Sequence, residues 1–296
     1  MKADLKGKVV VITGASSGFG KGAALRFADE GARLVLAARR ADLLGELARE
    51  CEARGAHALA CPADVSVRED VERLASAVIA ACGRIDVWIN NAGVGAIGRF
   101  ERIPLEVHEQ VVKTDLLGTL YGSYCAYRQF IAQGEGILIN VASELGFGTV
   151  PYYGAYAAAK HGVVGLGDSL RQELRQNEAK KIHVCTVMPT AHDTPFFDHA
   201  ANYTGRQIEP PRPLHDPDAV VETLVRLAMG PENEEIVGAD GIVKLLMKKV
   251  APGVQEKATA SYIHRTQMEK APPAPDSSGA VRQPMREGTE VRAGRA

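Results

Sequence analysis

The 296-residue sequence is short of several things, and each shortage narrows what the protein can be. Its five cysteines, Cys51, Cys61, Cys82, Cys125 and Cys185, are odd in number, dispersed and never in a C-x-x-C pair. Such a set argues against a disulfide framework and against a zinc site, and fits a reducing compartment. No metal is expected. Net charge is nearly absent, since 35 Lys and Arg against 36 Asp and Glu leave a formal −1. There is therefore no global basic field to hold nucleic acid, and no nucleic-acid partner is expected. No apolar run reaches the roughly 18 residues of a membrane span. The opening "MKADLKGKVVVITG" passes straight into a short β-like run without the apolar core of a signal peptide. A cytoplasmic location is the expectation.

What remains is an ordinary globular composition, 46% hydrophobic and 24% charged. Short aliphatic runs alternate with longer helical patterns from residue 8 to about residue 240, the rhythm of an α/β fold whose parallel sheet is covered by helices. Strands are predicted at Val9 to Thr13, Arg33 to Ala37, His57 to Ala60, Val87 to Asn90, Gly136 to Ala142, Ile182 to Met188 and Glu235 to Gly238. With helices such as Gly20 to Glu30, Arg68 to Cys82 and Tyr156 to Asn177 as crossovers, they form a single doubly wound, Rossmann-type sheet of about seven strands over residues 1–240. The stretch from Thr190 to Asp218 is too long and too rich in Pro, His and aromatics for a neutral connector, and is read as a loop over a binding site. Residues 241–270 are read as an amphipathic helical extension with a break at Pro252-Gly253. Residues 271–296, poor in large apolar side chains, are read as a disordered tail.

Directly after the first strand comes Thr13-Gly-Ala-Ser-Ser-Gly-Phe-Gly20, leading into a helix. Glycines there allow a tight turn and let backbone approach a pyrophosphate, whose charge is favoured at an NH-rich helix start. The second strand ends "VLAARRADL", with Ala38 at the place where a carboxylate would meet ribose hydroxyls, followed by Arg39 and Arg40. Guanidinium groups bind a 2′-phosphate that a carboxylate would repel, so NADP(H) is favoured over NAD(H).

The segment "PYYGAYAAAK" sets three tyrosines before Lys160. In a helix Tyr156 lies one turn from Lys160 on the same face, whereas Tyr153 is two turns away and Tyr152, before it, falls outside the reach of the ammonium. Tyr156 is thus the phenol that the ammonium can make more acidic.

The spacing G-x-x-x-G-x-G, with Asn90-Asn-Ala-Gly93 after the fourth strand and Tyr156-x-x-x-Lys160, resembles the short-chain dehydrogenase/reductase family over about residues 5–240. The resemblance implies that Gly14, Ser16, Ser17, Gly18, Phe19 and Gly20 line the cofactor phosphates, with Arg39 beside them. It implies that Asp64 and Val65 hold the adenine and that Asn91, Ala92 and Gly93 sit along the cofactor's middle. Ser143, thirteen residues before Tyr156, would orient the substrate oxygen while Tyr156 transfers the proton, and Lys160 would also bind the nicotinamide ribose. In Met188-Pro189-Thr190, where relatives more often show Pro-Gly, Thr190 is expected to offer its backbone amide, and Thr194 lies where the family often uses a threonine on the carboxamide. Asp115 stands where relatives carry an active-site asparagine. It would either alter the water chain that passes protons to Lys160 or act through its backbone carbonyl, and the second reading is preferred.

These features point to an oxidoreductase that interconverts a carbonyl and a secondary alcohol, on a small and apolar substrate to judge from Phe196, Phe197 and Tyr203 in the long loop. The alternative is a cofactor-binding sensor or scaffold acting through its C-terminal extension. The resemblance further implies a homodimer or homotetramer built through the helices that hold Asp115 and Tyr156. Residues 242–250 segregate apolar and basic side chains, so they suit either a helix covering the substrate mouth, which is preferred, or contact with a membrane surface. His192, His199 and His215 are read mostly as surface residues, and Trp88 as packing.

Overall fold

Nine strands and ten helices follow one another along the chain, and the computed structural model describes residues 4–295. The elements are β1 (Val9–Thr13), α1 (Gly18–Asp29), β2 (Arg33–Ala38), α2 (Ala41–Ala53), β3 (His57–Pro62), α3 (Arg68–Cys82) and β4 (Val87–Asn90). Next come β5 (Ala96–Gly98), α4 (Leu105–Val112), α5 (Gly118–Gln133), β6 (Gly136–Val141), α6 (Gly154–Gln176) and β7 (Ile182–Pro189). The chain continues through α7 (Phe196–His199), β8 (Ala201–Tyr203), α8 (Asp218–Met229), β9 (Glu234–Val237), α9 (Ala239–Val250) and α10 (Pro252–His264).

Seven strands form one parallel sheet in the order β3-β2-β1-β4-β6-β7-β9. The α/β doubly wound architecture follows from the strand sequences. Every residue of β1, VVVIT, is buried, as a parallel strand covered on both faces requires. Alternate side chains serve opposite faces. Val10 and Ile12 join Ala24, Phe27, Leu44 and Leu224 from α1, α2 and α8 on one side. Val9 and Val11 join Val71, Leu74, Phe130 and Leu174 from α3, α5 and α6 on the other. The apolar runs thus place two helical layers. Trp88 is wholly buried on β4, its indole NH donating to Asn90 Oδ1 at 2.8 Å, which makes it a packing residue.

Strand order reverses between β1 and β4, so the loops leaving these neighbouring strands diverge and open a crevice at their carboxyl ends. Between α4 and α5 the helix continues through a π-helical turn, Lys113–Leu117, which carries Asp115 toward that crevice. α5 stops where Gly134 adopts φ 80°, a left-handed cap that a side chain would strain. No described helix is long and apolar enough to cross a membrane.

Beyond β9 the chain returns over the crevice. α9 turns Lys244 and Lys248 inward, where they bond Glu144 and the Phe147 carbonyl. Its apolar residues Ile242, Val243, Leu246 and Val250 face outward. Residues 271–295 differ from the disorder anticipated from composition. They lie against the domain, Ser277 bridging to Asn202 and Val281 0% exposed in a cluster with Tyr156 and Phe197.

Candidate active site

The crevice is a cavity of about 500 Å³ that runs from Arg39, Asp64 and Val65, past Ser16, Ser17, Gly18 and Phe19, to Ser143, Tyr156 and Lys160. Its floor is two loops stapled together. Asn91 sends its amide to the carbonyl of Thr13 at 3.0 Å, while the Thr13 hydroxyl accepts from the backbone NH of Asn91 and Ala92. This contact explains two of the glycines. A Cβ on Gly14 would stand 2.7 Å from Ala92 Cα, and one on Gly20 would stand 2.3 Å from the Gly14 carbonyl oxygen. Gly14 also has φ +68°, a conformation that a side chain rarely adopts.

At the outer end Arg40 binds the Ser16 and Ser17 hydroxyls at 2.9 and 3.0 Å, which fixes a guanidinium against the glycine loop. Burial draws both Arg39 and Arg40 below the usual arginine range, so each gains from an anionic partner. Asp64 is tied into a local turn through Ser66 N and Oγ. Cations at one end, a glycine turn at a helix start in the middle and a phenol with an ammonium at the other suit a dinucleotide in chemistry.

At the inner end α6 carries Tyr156 and Lys160, 9% and 3% exposed. The Lys160 ammonium lies 5.5 Å from the centre of the Tyr156 ring, donates to the Val141 carbonyl at 3.1 Å and pairs with Asp115 Oδ2 at 3.3 Å. Asp115 is completely buried, and its other oxygen accepts from Val94 N at 2.8 Å. Its backbone carbonyl takes the Thr119 hydroxyl at 2.8 Å. The side chain, rather than the carbonyl preferred from sequence, therefore faces Lys160. Gly93 lies where a Cβ would come 3.2 Å from that carboxylate and 3.4 Å from the ammonium.

Burial raises the Tyr156 phenol well above its ordinary value, the Asp115 carboxylate adds to this, and a hydrogen bond with Ser143 works the other way. Burial likewise raises the Asp115 carboxyl, opposed by Lys160 and the Val94 amide. Ser143 lies just beyond β6, capping the turn Glu144–Gly146, and accepts from Leu145 N at 3.2 Å. The neighbouring Tyr153 phenol is pushed up by burial too, and its hydroxyl has no partner among the described residues.

Two expectations need changing. Thr190 lines the cavity, but its amide donates to the Val237 carbonyl at 2.9 Å because β9 continues the sheet beside β7. That amide is therefore not available to a ligand, while Pro189 and Thr194 do line the cavity, with Thr194 beside Gly18. His192 is buried rather than superficial. Its Nδ1 donates to the Thr190 carbonyl at 3.0 Å, its ring packs edge-on to Phe19, and burial lowers its pKa. Local sequence carries no signal for this, since the long loop folds back on itself through His215.

Comparison with known proteins agrees with this geometry. The family model for short chain dehydrogenase matches residues 8–203. A Bacillus subtilis (strain 168) protein described as the uncharacterized oxidoreductase YxnA is 32% identical over 279 residues, 94% of this chain and 78% of that one. An alcohol dehydrogenase from the archaeon Thermococcus sibiricus, solved in complex with 5-hydroxy-NADP, superposes with a TM-score of 0.67 at 27% identity over 78% of this chain and 96% of its own. A metagenomic short-chain oxidoreductase in complex with NADP gives a TM-score of 0.67 at 30% identity, covering 79% and 98%.

Proposed function

The chain belongs to the short chain dehydrogenase family, and from that premise we propose that it is an NADP(H)-dependent oxidoreductase interconverting a carbonyl and a secondary alcohol. The observation that carries this reading is the convergence of Ser143, Tyr156 and Lys160 at one end of a cavity whose other end presents Arg39 and Arg40.

In this reading the glycine loop and Asn91, Ala92 and Gly93 bind the body of the dinucleotide, Asp64 and Val65 flank the adenine, and Arg39 holds a 2′-phosphate by charge-assisted hydrogen bonds while Arg40 beside it braces the glycine loop. When bound, the nicotinamide supplies or takes up hydride at ring C4. The Ser143 hydroxyl donates to the substrate oxygen and orients it. In the reductive direction Tyr156 gives its proton to that oxygen, and the Lys160 ammonium stabilises the phenolate left behind. A raised phenol pKa keeps the proton on Tyr156 through neutral pH, so the side chain rests in the protonated form that reduction uses. Val150, Tyr153, Phe196, Phe197 and Ile263 supply an apolar wall, so the carbonyl substrate is a small apolar ketone. The exposed Leu120, Tyr124 and Ile131 on α5 support self-association through that helix. An inert sensor is not favoured, because it would have no use for this inner triad.

The test is to incubate purified protein with NADPH or NADH and a panel of aliphatic and aromatic ketones and aldehydes, following absorbance of the reduced cofactor. Turnover with NADPH at least tenfold more efficient than with NADH supports the reading; dinucleotide binding without turnover of any carbonyl would sink it.

A further inference from the structure

The last stretch of the chain meets the cavity at an unusual set of atoms. Arg39 donates to the carbonyls of Ala280 and Val281 at 2.5 and 3.4 Å, and Arg40 to those of Met285 and Glu287 at 3.1 and 3.4 Å. Lys21 reaches the Thr289 carbonyl at 3.2 Å, and the Gly18 amide at the start of α1 donates to the Glu290 carbonyl at 2.9 Å. The cations and helix start read above as phosphate-binding groups thus also hold six backbone carbonyls of residues 280–290. Anchors lie on either side. Ala280 N donates to the His199 carbonyl at 2.7 Å beside the buried Val281, and further on Val291 packs over Gly22 while Arg295 N reaches Asp193.

The segment walls the cavity rather than filling it. With the tail in place a cavity of about 500 Å³ remains, and Ala280, Pro284 and Met285 line it together with Asp64 and Lys160. Its attachment is polar, through carbonyls on guanidinium groups. Only one large aliphatic side chain, Val281, is wholly buried in it. A strap held in this way opens locally without unfolding the domain.

Resting on the dinucleotide reading, we propose that residues 280–290 are a further part of the cofactor site, an outer wall that closes over the adenosine half and must detach for the cofactor to exchange. Bound dinucleotide and docked tail then stabilise one another, as linkage requires.

Trypsin reads the strap directly, because Arg282 and Arg286 are exposed within it. Wild-type protein is digested with and without NADPH, cut sites are identified by mass spectrometry, and binding of NADPH and of NADH is first measured on the same sample by titration calorimetry. At a dinucleotide concentration about 100 times Kd, opening that requires dissociation is suppressed by roughly a hundredfold. Cleavage after Arg282 and Arg286 should accordingly slow by tens of fold. Faster cleavage with dinucleotide would mean that the tail competes with it, and unchanged cleavage that the tail is no part of the site; either overturns the proposal while leaving the cofactor reading intact. Failure of both dinucleotides to bind overturns the cofactor reading and this proposal with it. As a second measurement, Val281→Asp places a charge in an apolar seat and disfavours docking. The apparent Kd for NADPH should then rise by roughly tenfold or more, through faster dissociation in stopped-flow displacement, and unaltered dissociation overturns the proposal.

Discussion

Replacing Asp115 by Asn removes one buried charge while leaving an oxygen to accept from Val94 N. The Lys160 ammonium is 3.3 Å from the carboxylate and 5.5 Å from the Tyr156 ring centre, so carboxylate and ring lie within roughly 9 Å of each other. At an effective dielectric of about 20, a unit charge at that distance disfavours a phenolate by about 2 kcal/mol, or roughly 1.4 pKa units. Tyr156 is raised in the wild type, first by burial and then by Asp115, so the substitution lowers it. The sign is then fixed for each direction. Alcohol oxidation needs the phenolate and rises with pH, so its profile in Asp115→Asn should move to lower pH by about 1 to 1.5 units. At pH 8 oxidation should be roughly tenfold or more faster than wild type. Carbonyl reduction needs the phenol and should begin to fall at a lower pH than in the wild type. The assay is initial rate of dinucleotide reduction from pH 6 to 10 at saturating alcohol, with cofactor affinity measured alongside. A profile that stays in place while the rate drops uniformly would make Asp115 merely structural. A profile moved to higher pH would refute the electrostatic reasoning outright.

Two further substitutions probe the ends of the cavity and the core. Arg39→Asp puts a carboxylate where a guanidinium stands and should reduce the NADPH over NADH preference by about ten- to a hundredfold; an unchanged ratio of kcat/KM for the two cofactors would remove the reason for choosing NADP(H). Phe130→Ala empties a wholly buried position between α5 and the sheet and should lower stability by about 3–5 kcal/mol, read as an unchanged urea m-value with a lower midpoint, and a loss below 1 kcal/mol would contradict the packing described.

The sheet was legible because its central strands are buried on both faces and read as aliphatic runs; β1 falls at Val9–Thr13 as the sequence places it. The inner site was legible for a different reason. Tyr156 and Lys160 are one helical turn apart, so local geometry alone joins them. Ser143, Asp115 and the glycine loop needed a family pattern to be brought together. What stayed hidden depends on contacts between distant segments. The three-residue strands β5 and β8 exist only because they pair with each other. The π-helical turn at Asp115 has no marker in "VKTDLLG". Composition weighs apolar side chains, so it missed a tail held by its backbone carbonyls to arginines some 240 residues earlier in the chain. The Thr190 amide was claimed by a neighbouring strand that the sequence could suggest but not place in register.

The most direct test of the central claim is Tyr156→Phe, which deletes one oxygen and keeps the ring against Phe196. Reduction of the best carbonyl substrate by NADPH should fall by at least about a hundredfold in kcat, the usual share of a general acid, while NADPH binding measured by calorimetry stays within a few-fold of wild type. A variant that binds NADPH and still turns over at more than a tenth of the wild-type rate would contradict the account.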